Sequence, residues 1–232
     1  MSMDATSSAP SARRQATRTR LMEAAAEVFA EAGLQAASVE AVCTRAGFTR
    51  GAFYSNFASK EELFLTLLGA EFDQRTTELR THAAALEQRF RERDHPIDPP
   101  EAARLIVEFF MPPENALEWT LLETEFQLLA MRDPHLAPGY LEYVGGFIAG
   151  ISDVIEPTLA AAGRRFRLPV AHAVPALVGV YERAVRASAL GGSGAPEGLG
   201  ELGDRLAEML FALTEELGSS GGDAIRRSGA AA

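Results

Sequence analysis

The sequence predicts an all-α protein: an N-terminal three-helix domain holding a helix-turn-helix, then a larger C-terminal helical bundle. Residues 38–64 read as two short helices joined by a glycine-containing turn, followed by the start of a third. Past residue 60, apolar side chains recur at spacings of three and four, with no strand-like alternation that survives inspection. Strong breakers separate these segments at residues 94–100, 112–113 and 191–198. The expected layout is a disordered arm over 1–12, a helix-turn-helix domain over 13–60, a ligand-binding and dimerisation domain over 61–218, and a loose tail over 219–232.

The bulk properties narrow the class. A chain of 232 residues with 47% hydrophobic content can build a well-packed core. Its single cysteine excludes an internal disulfide and fits a reducing cytoplasm. No uninterrupted apolar run approaches the length of a membrane span, and no signal-peptide core is present, so the expectation is a soluble cytoplasmic protein with no membrane partner. The net charge of −10 argues at first sight against a nucleic-acid partner. Its distribution answers that objection: residues 1–60 balance at +2 and residues 61–232 at −12. An acidic body with a mildly basic end orients a molecule on DNA.

Taken in order, Arg13, Arg14, Arg18 and Arg20 form a basic lead into the first helix. Such an arm can follow phosphates or serve only to solubilise. Helix one, over residues 17–32, carries a single apolar stripe of Leu21, Ala25, Val28, Phe29 and Ala32, and Gly33 ends it. Ser38 then caps a helix over 39–46, Gly47 supplies the left-handed stop, and Thr49 caps the next helix over 50–57. Ser59 with Glu62 makes a capping box that opens the third. In a helix-turn-helix the second helix enters the major groove. Phe53 and Phe57 should face inward. That leaves Thr49, Arg50, Gly51, Ala52, Tyr54, Ser55 and Asn56 toward DNA, with Ser38, Arg45 and Lys60 beside them. Arg50 can fork onto guanine or grip a phosphate. Cys43, among apolar neighbours, is expected to be an inert buried thiol.

Ala46-Gly47, the run Thr49-Arg50-Gly51-Ala52-Phe53-Tyr54 with Phe57, and Ser59-Lys60-Glu61-Glu62-Leu63 stand in one register. This stretch resembles the N-terminal domain of the tetracycline repressor (TetR) family of transcription regulators. The resemblance implies that Tyr54 and Lys60 hold the phosphate backbone, and that two copies pair through the last two helices. The sequence departs from the family pattern at Cys43 and at Ser55-Asn56, the second of which bears on the DNA sequence preferred.

From Lys60 the apolar stripe runs on through Leu63, Phe64, Leu67, Leu68 and Phe72 toward Phe90, predicting a helix over 60–91. Helices follow over 101–111, 114–132 and 134–162. The second of these has apolar residues on two arcs, as a helix in the middle of a bundle does, with Glu118, Glu125 and Arg132 along a polar strip. Gly145, Gly146 and Gly150 within the last imply close packing or room for a ligand. The final helices, over 170–190 and 199–217, carry apolar seams suited to a four-helix dimer interface, with Pro175 expected to kink the first or delay its start.

The four histidines are scattered, no metal-ligand cluster is visible, and there is no phosphate loop, dinucleotide fingerprint or nucleophile elbow. Neither a cofactor nor an enzymatic activity is expected. The favoured expectation is a homodimeric repressor that holds a palindromic double-stranded operator and is released by a small apolar or aromatic effector. Candidate effector contacts are Phe109, Phe110, Met111, Trp119, Glu123, Phe126, Tyr143, Phe147 and Tyr181. Alternatives of other classes are a helical ligand-binding protein or enzyme with a vestigial DNA module, and a transcriptional activator.

Overall fold

The computed structural model describes residues 12–110, 115–192, 195 and 197–218. Among them the fold is all-α apart from one short antiparallel strand pair. The helices are α1 (Ala12–Ala36), α2 (Val39–Ala46), α3 (Arg50–Tyr54), α4 (Lys60–Arg91), α5 (Pro99–Phe110), α6 (Ala116–Arg132), α7 (Ala137–Ala161), α8 (Val170–Gly191) and α9 (Leu202–Leu213). Two three-residue strands, β1 (Arg164–Phe166) and β2 (Thr214–Glu216), pair antiparallel with Arg164 opposite Glu216. Residues 1–11 of the arm expected over 1–12, the Pro112-Pro113 stop and the tail over 219–232 lie outside the described residues, while Ala12 already belongs to α1.

Several elements differ from expectation. The second short helix stops at Tyr54 rather than Phe57, where the Asn56 N–H reaches the Phe53 carbonyl three residues back, at 2.8 Å, and the last turn tightens. The last helix is shorter than its seam: residues 199–201 form a 3-10 turn and residues 214–216 leave the helix to pair with β1. Pro175 does not delay α8, which begins at Val170 directly after Pro169 and runs through it. At the 94–100 break, Asp98 caps α5 by accepting from the Glu101 N–H at 2.8 Å, and Pro99 fills the first helical position, where no donor is needed. α7, although it lacks an uninterrupted apolar run, is long and apolar enough on average to cross a bilayer, with a mean hydropathy of 1.3 over its most apolar window. It also carries Asp153, Glu156 and Pro157, and it buries Ile151, Val154 and Leu159.

The chain divides into two compact units, drawn differently from a cut at residue 60. The first takes the described residues of Met1–Glu71 together with Leu121–Tyr143; the second takes Phe72–Thr120 and the described residues of Val144–Ala232. In the first unit Phe29, Phe53, Phe57, Phe64 and Phe126 are fully buried. Phe64 meets Phe29 edge-on at 5.5 Å and stacks on Phe126 at 5.3 Å. In the second unit α5 packs on α9, with Ala102, Ala103 and Ile106 against Leu202, Leu206 and Ala207. Of the α9 seam anticipated as a dimer face, Leu202 and Leu206 are thus buried within the chain, Leu199, Met209 and Leu213 are half-buried, and Leu217 is exposed. The two helices approach so closely that a Cβ on Gly203 would lie 2.8 Å from the Ala103 carbonyl oxygen.

Candidate functional site

The helix-turn-helix is set by short-range capping. Ser38 Oγ accepts from the Ala41 N–H at 3.1 Å, and Thr49 Oγ1 from the Ala52 N–H at 3.2 Å. Gly47 sits at φ 71°, ψ 33°. Its N–H reaches the Thr44 carbonyl while the Phe48 N–H reaches Cys43, a Schellman stop. Ser59 accepts from the Glu62 N–H at 3.1 Å, and the Glu62 carboxylate takes the Ala58 N–H at 2.6 Å.

Long side chains then fasten α1 across the two short helices. Arg14 and Arg18 donate to the carbonyls of Ser55 and Asn56, at 3.2 and 2.7 Å, and Arg18 lies over the Phe57 ring at 4.1 Å. Arg20 donates to the Ala46 carbonyl at 3.2 Å. These guanidiniums sit at helix C-termini, where the backbone dipole favours a cation. The basic lead therefore does internal work.

The expected DNA-facing residues separate into two groups. Thr49, Arg50, Gly51, Tyr54 and Ser55 are exposed and Ala52 half-buried. Arg50 forms an ion pair with Glu40 at 2.5 Å in a setting open to water, and its guanidinium lies 5.9 Å from the Tyr54 ring. A hydrogen bond to Tyr54, then the Glu40 charge, raise the Arg50 pKa. Such an exposed pair is worth about 0–1 kcal/mol and leaves Arg50 free to exchange partners.

The other group is committed inside the unit. Asn56 is 9% exposed and donates to the Ala52 carbonyl at 2.8 Å, so it does not face outward. Arg45 bridges to Glu27 and Glu31 on α1, at 2.8 and 2.7 Å, and these hydrogen bonds raise its pKa. Lys60 donates to the carbonyls of Leu34, Gln35 and Ala37, at 2.8, 3.1 and 2.9 Å. An ammonium has three donors, so all are used. The same stretch is held from its other side: the Glu125 carboxylate on α6 accepts from the N–H groups of Leu34 at 2.8 Å and Gln35 at 3.4 Å. Gly33, at φ 75°, makes this approach possible, since a Cβ there would lie 3.0 Å from Glu125 Oε1. Cys43 is buried, and burial raises its thiol pKa.

A cavity of about 280 Å³ lies within the second unit, between α4, α5, α7, α8 and α9. Phe72, Leu79, Leu86, Ile106, Ile151 and Leu210 are typical of its mainly apolar wall. Of the aromatic candidates, Phe109, Phe147 and Tyr181 line it. Trp119 does not. Glu123, Phe126 and Tyr143 belong to the first unit, where Phe126 is core and Tyr140 Oη lies 3.4 Å from the Glu123 carboxylate. Met111 and the Phe110 side chain lie outside the described residues. The polar members Arg75, Glu78, His82, Thr158 and Arg164 were not among the expected contacts. One signal for two of them was present. Phe72, Arg75, Leu79, His82, Leu86 and Phe90 share one helical face of α4, with a cation and an imidazole set among apolar side chains. Burial raises the Tyr181 phenol pKa, against an opposing effect of the nearby Arg75. Among the described residues no group of three or more His, Cys, Asp and Glu side chains could hold a metal ion.

Comparisons with known proteins agree with this geometry. Residues 21–67 match the family model described as "Bacterial regulatory proteins, tetR family". The chain is 41% identical over 54 residues to the HTH-type transcriptional regulator UidR of Escherichia coli K12, a stretch covering 23% of this chain and 28% of that protein. It is 45% identical over 56 residues to the HTH-type transcriptional repressor KstR2 of Mycobacterium tuberculosis, covering 24% and 28%. The chain thus spans little more than a quarter of the length of these relatives. A crystal structure of a putative TetR-family transcriptional regulator from Mesorhizobium loti superposes with a TM-score of 0.60 at 18% identity, covering 86% of this chain and 96% of that one, a likeness of fold. The capped helix-turn-helix and the matching segment together show that residues 21–67 are similar to the DNA-binding segment of the tetR family of bacterial regulatory proteins, and the described residues share the all-α fold of a solved TetR-family structure.

Proposed function

We propose that the protein is a dimeric, effector-responsive transcription repressor acting in the cytoplasm on double-stranded operator DNA. The observation that carries this reading is the helix-turn-helix over residues 38–57, whose α3 presents Arg50, Gly51, Tyr54 and Ser55 outward from a fully buried Phe53. Gly51 lets the backbone come close to the duplex, Arg50 supplies the base-reading or phosphate-gripping fork, and the Tyr54 phenol suits a phosphate. Two copies related by a two-fold axis would place their α3 helices in major grooves about 34–36 Å apart, or a multiple of that, matching a palindromic site. The effector enters the cavity of the second unit. By binding one state of the dimer better than the other, it shifts the population away from the DNA-competent form.

The test is DNA binding by the full chain to a duplex selected from a random pool, read by fluorescence anisotropy across a salt series. Arg50→Ala should weaken binding about tenfold or more and, if Arg50 grips a phosphate, reduce the salt slope by about one. Tyr54→Phe should weaken it without changing which sequence is selected. Failure to retain any duplex at low salt would refute the proposal.

A further inference from the structure

The cavity wall contains a charge with no counter-charge. Arg164 is 8% exposed, yet it makes no ion pair among the described residues. Its Nε donates to Thr214 Oγ1 at 2.9 Å and one Nη to the Thr214 carbonyl at 3.4 Å, while its guanidinium lies 4.2 Å from the centre of the Phe211 ring. All these contacts are neutral. A second guanidinium on the wall, Arg75, likewise makes no ion pair. Among the described residues the only carboxylate on the wall, Glu78, is exposed and accepts from Gln74 Nε2 at 3.2 Å. Burying a guanidinium beside apolar surface without a carboxylate is costly, and a chain that keeps one there gains when an anion arrives. The rest of the wall favours hydrocarbon.

Resting on the effector-cavity reading above, we propose that the ligand is an amphipathic anion: an apolar body ending in a carboxylate that pairs with Arg164, with Arg75 as the second cation. Charge-assisted bonds from guanidinium to carboxylate are the strong ones, and in an apolar enclosure they separate an acid from the matching alcohol.

The experiment is isothermal titration calorimetry of the full-length protein with three probes sharing one chain: octanoate, octan-1-ol and octyltrimethylammonium. Octanoate should bind at least tenfold more tightly than octan-1-ol, and the cation most weakly. Arg164→Met should bring octanoate down to the affinity of the alcohol while leaving alcohol binding within about twofold, since only one charge-assisted contact is lost. Because Arg164 also holds β2, Arg75→Met supplies a second route that spares the strand pair; there too the acid should lose affinity and the alcohol should not. Arg75→Lys, keeping the charge, should recover part of the preference. Equal binding of acid and alcohol, no binding of any probe, or an unchanged acid preference in both methionine variants would overturn the proposal. DNA binding by the unliganded protein is scored separately. Intact DNA binding without head-group selectivity removes only this inference, whereas selectivity without DNA binding removes the regulator reading.

Discussion

Lys60 and Arg50 show how two basic residues of one motif part company. The Lys60 ammonium closes on three carbonyls of residues 34–37, whereas Arg50 stands in water on a single exposed carboxylate. Lys60→Met should therefore act on folding. Loss of charged hydrogen bonds to partly buried carbonyls should cost about 2 kcal/mol and lower the thermal midpoint of the first unit, measured by circular dichroism. Arg50→Ala should leave that midpoint nearly unchanged and act only on DNA. If Lys60→Met melts like the parent chain yet loses DNA, the ammonium leaves its carbonyls for a phosphate, and the structural assignment fails. Tyr54 and Arg50 hold exposed positions, as a DNA contact requires. Asn56 does not, because its amide is folded back onto Ala52. Its spacing carried that signal: Asn56 lies three residues after Phe53 and beside Phe57, on the inward face.

At the scale of elements, the contact of α5 with α9 depends on a missing side chain. Gly203 faces the Ala103 carbonyl, backbone that cannot rotate away, and the Val107 side chain beside it. Gly203→Val should force the helices apart and cost about 1–3 kcal/mol, as overpacked cores do. Urea denaturation is the check, and an unchanged midpoint would mean that the pair is slack. The adjoining 92–101 junction is held by a bidentate pair between Arg93 and Glu101, at 2.5 and 2.6 Å, which keeps the Glu101 carboxyl below its ordinary range. Helix existence and approximate ends were legible for these elements, since a stripe at three and four and a cap are local. The strand pair was not. Thr214–Glu216 lies between Leu213 and Leu217 of an apolar seam in the sequence, and a partner strand fifty residues away pairs with it outside the helix.

For the whole molecule, the positive balance of residues 1–60 and the strong negative balance beyond them are consistent with one end meeting DNA. On the dimeric reading proposed above, a second copy would meet surfaces left over after α9 has packed on α5. α8 offers one: Ala176, Gly179, Arg183, Arg186 and Leu190 are exposed along one face, and nothing lies within 4 Å of a Cβ built on Gly179. A glycine in a helix interior costs about 1 kcal/mol relative to alanine, and no neighbour in this subunit accounts for it. Light scattering should give the parent chain twice its 24.9 kDa mass, and Gly179→Arg the mass of one chain with its helical spectrum intact. A variant that stays dimeric would place the interface elsewhere.

What the sequence determined by itself is whatever lies within a few residues of its cause. The Ser38 and Thr49 caps, the Gly47 stop, the Ser59–Glu62 box and the stripe of α4 are all interactions between near neighbours, and they make the helix-turn-helix readable. The tertiary structure decided where the long donors and acceptors end. Lys60 and Glu125 meet on the 34–37 stretch, and Arg164 lines a mainly apolar cavity without an ion-pair partner among the described residues. Residues brought together from 90 positions away in the chain leave no periodicity to detect, because their pairing is set by packing and by the cost of leaving buried polar groups unpaired.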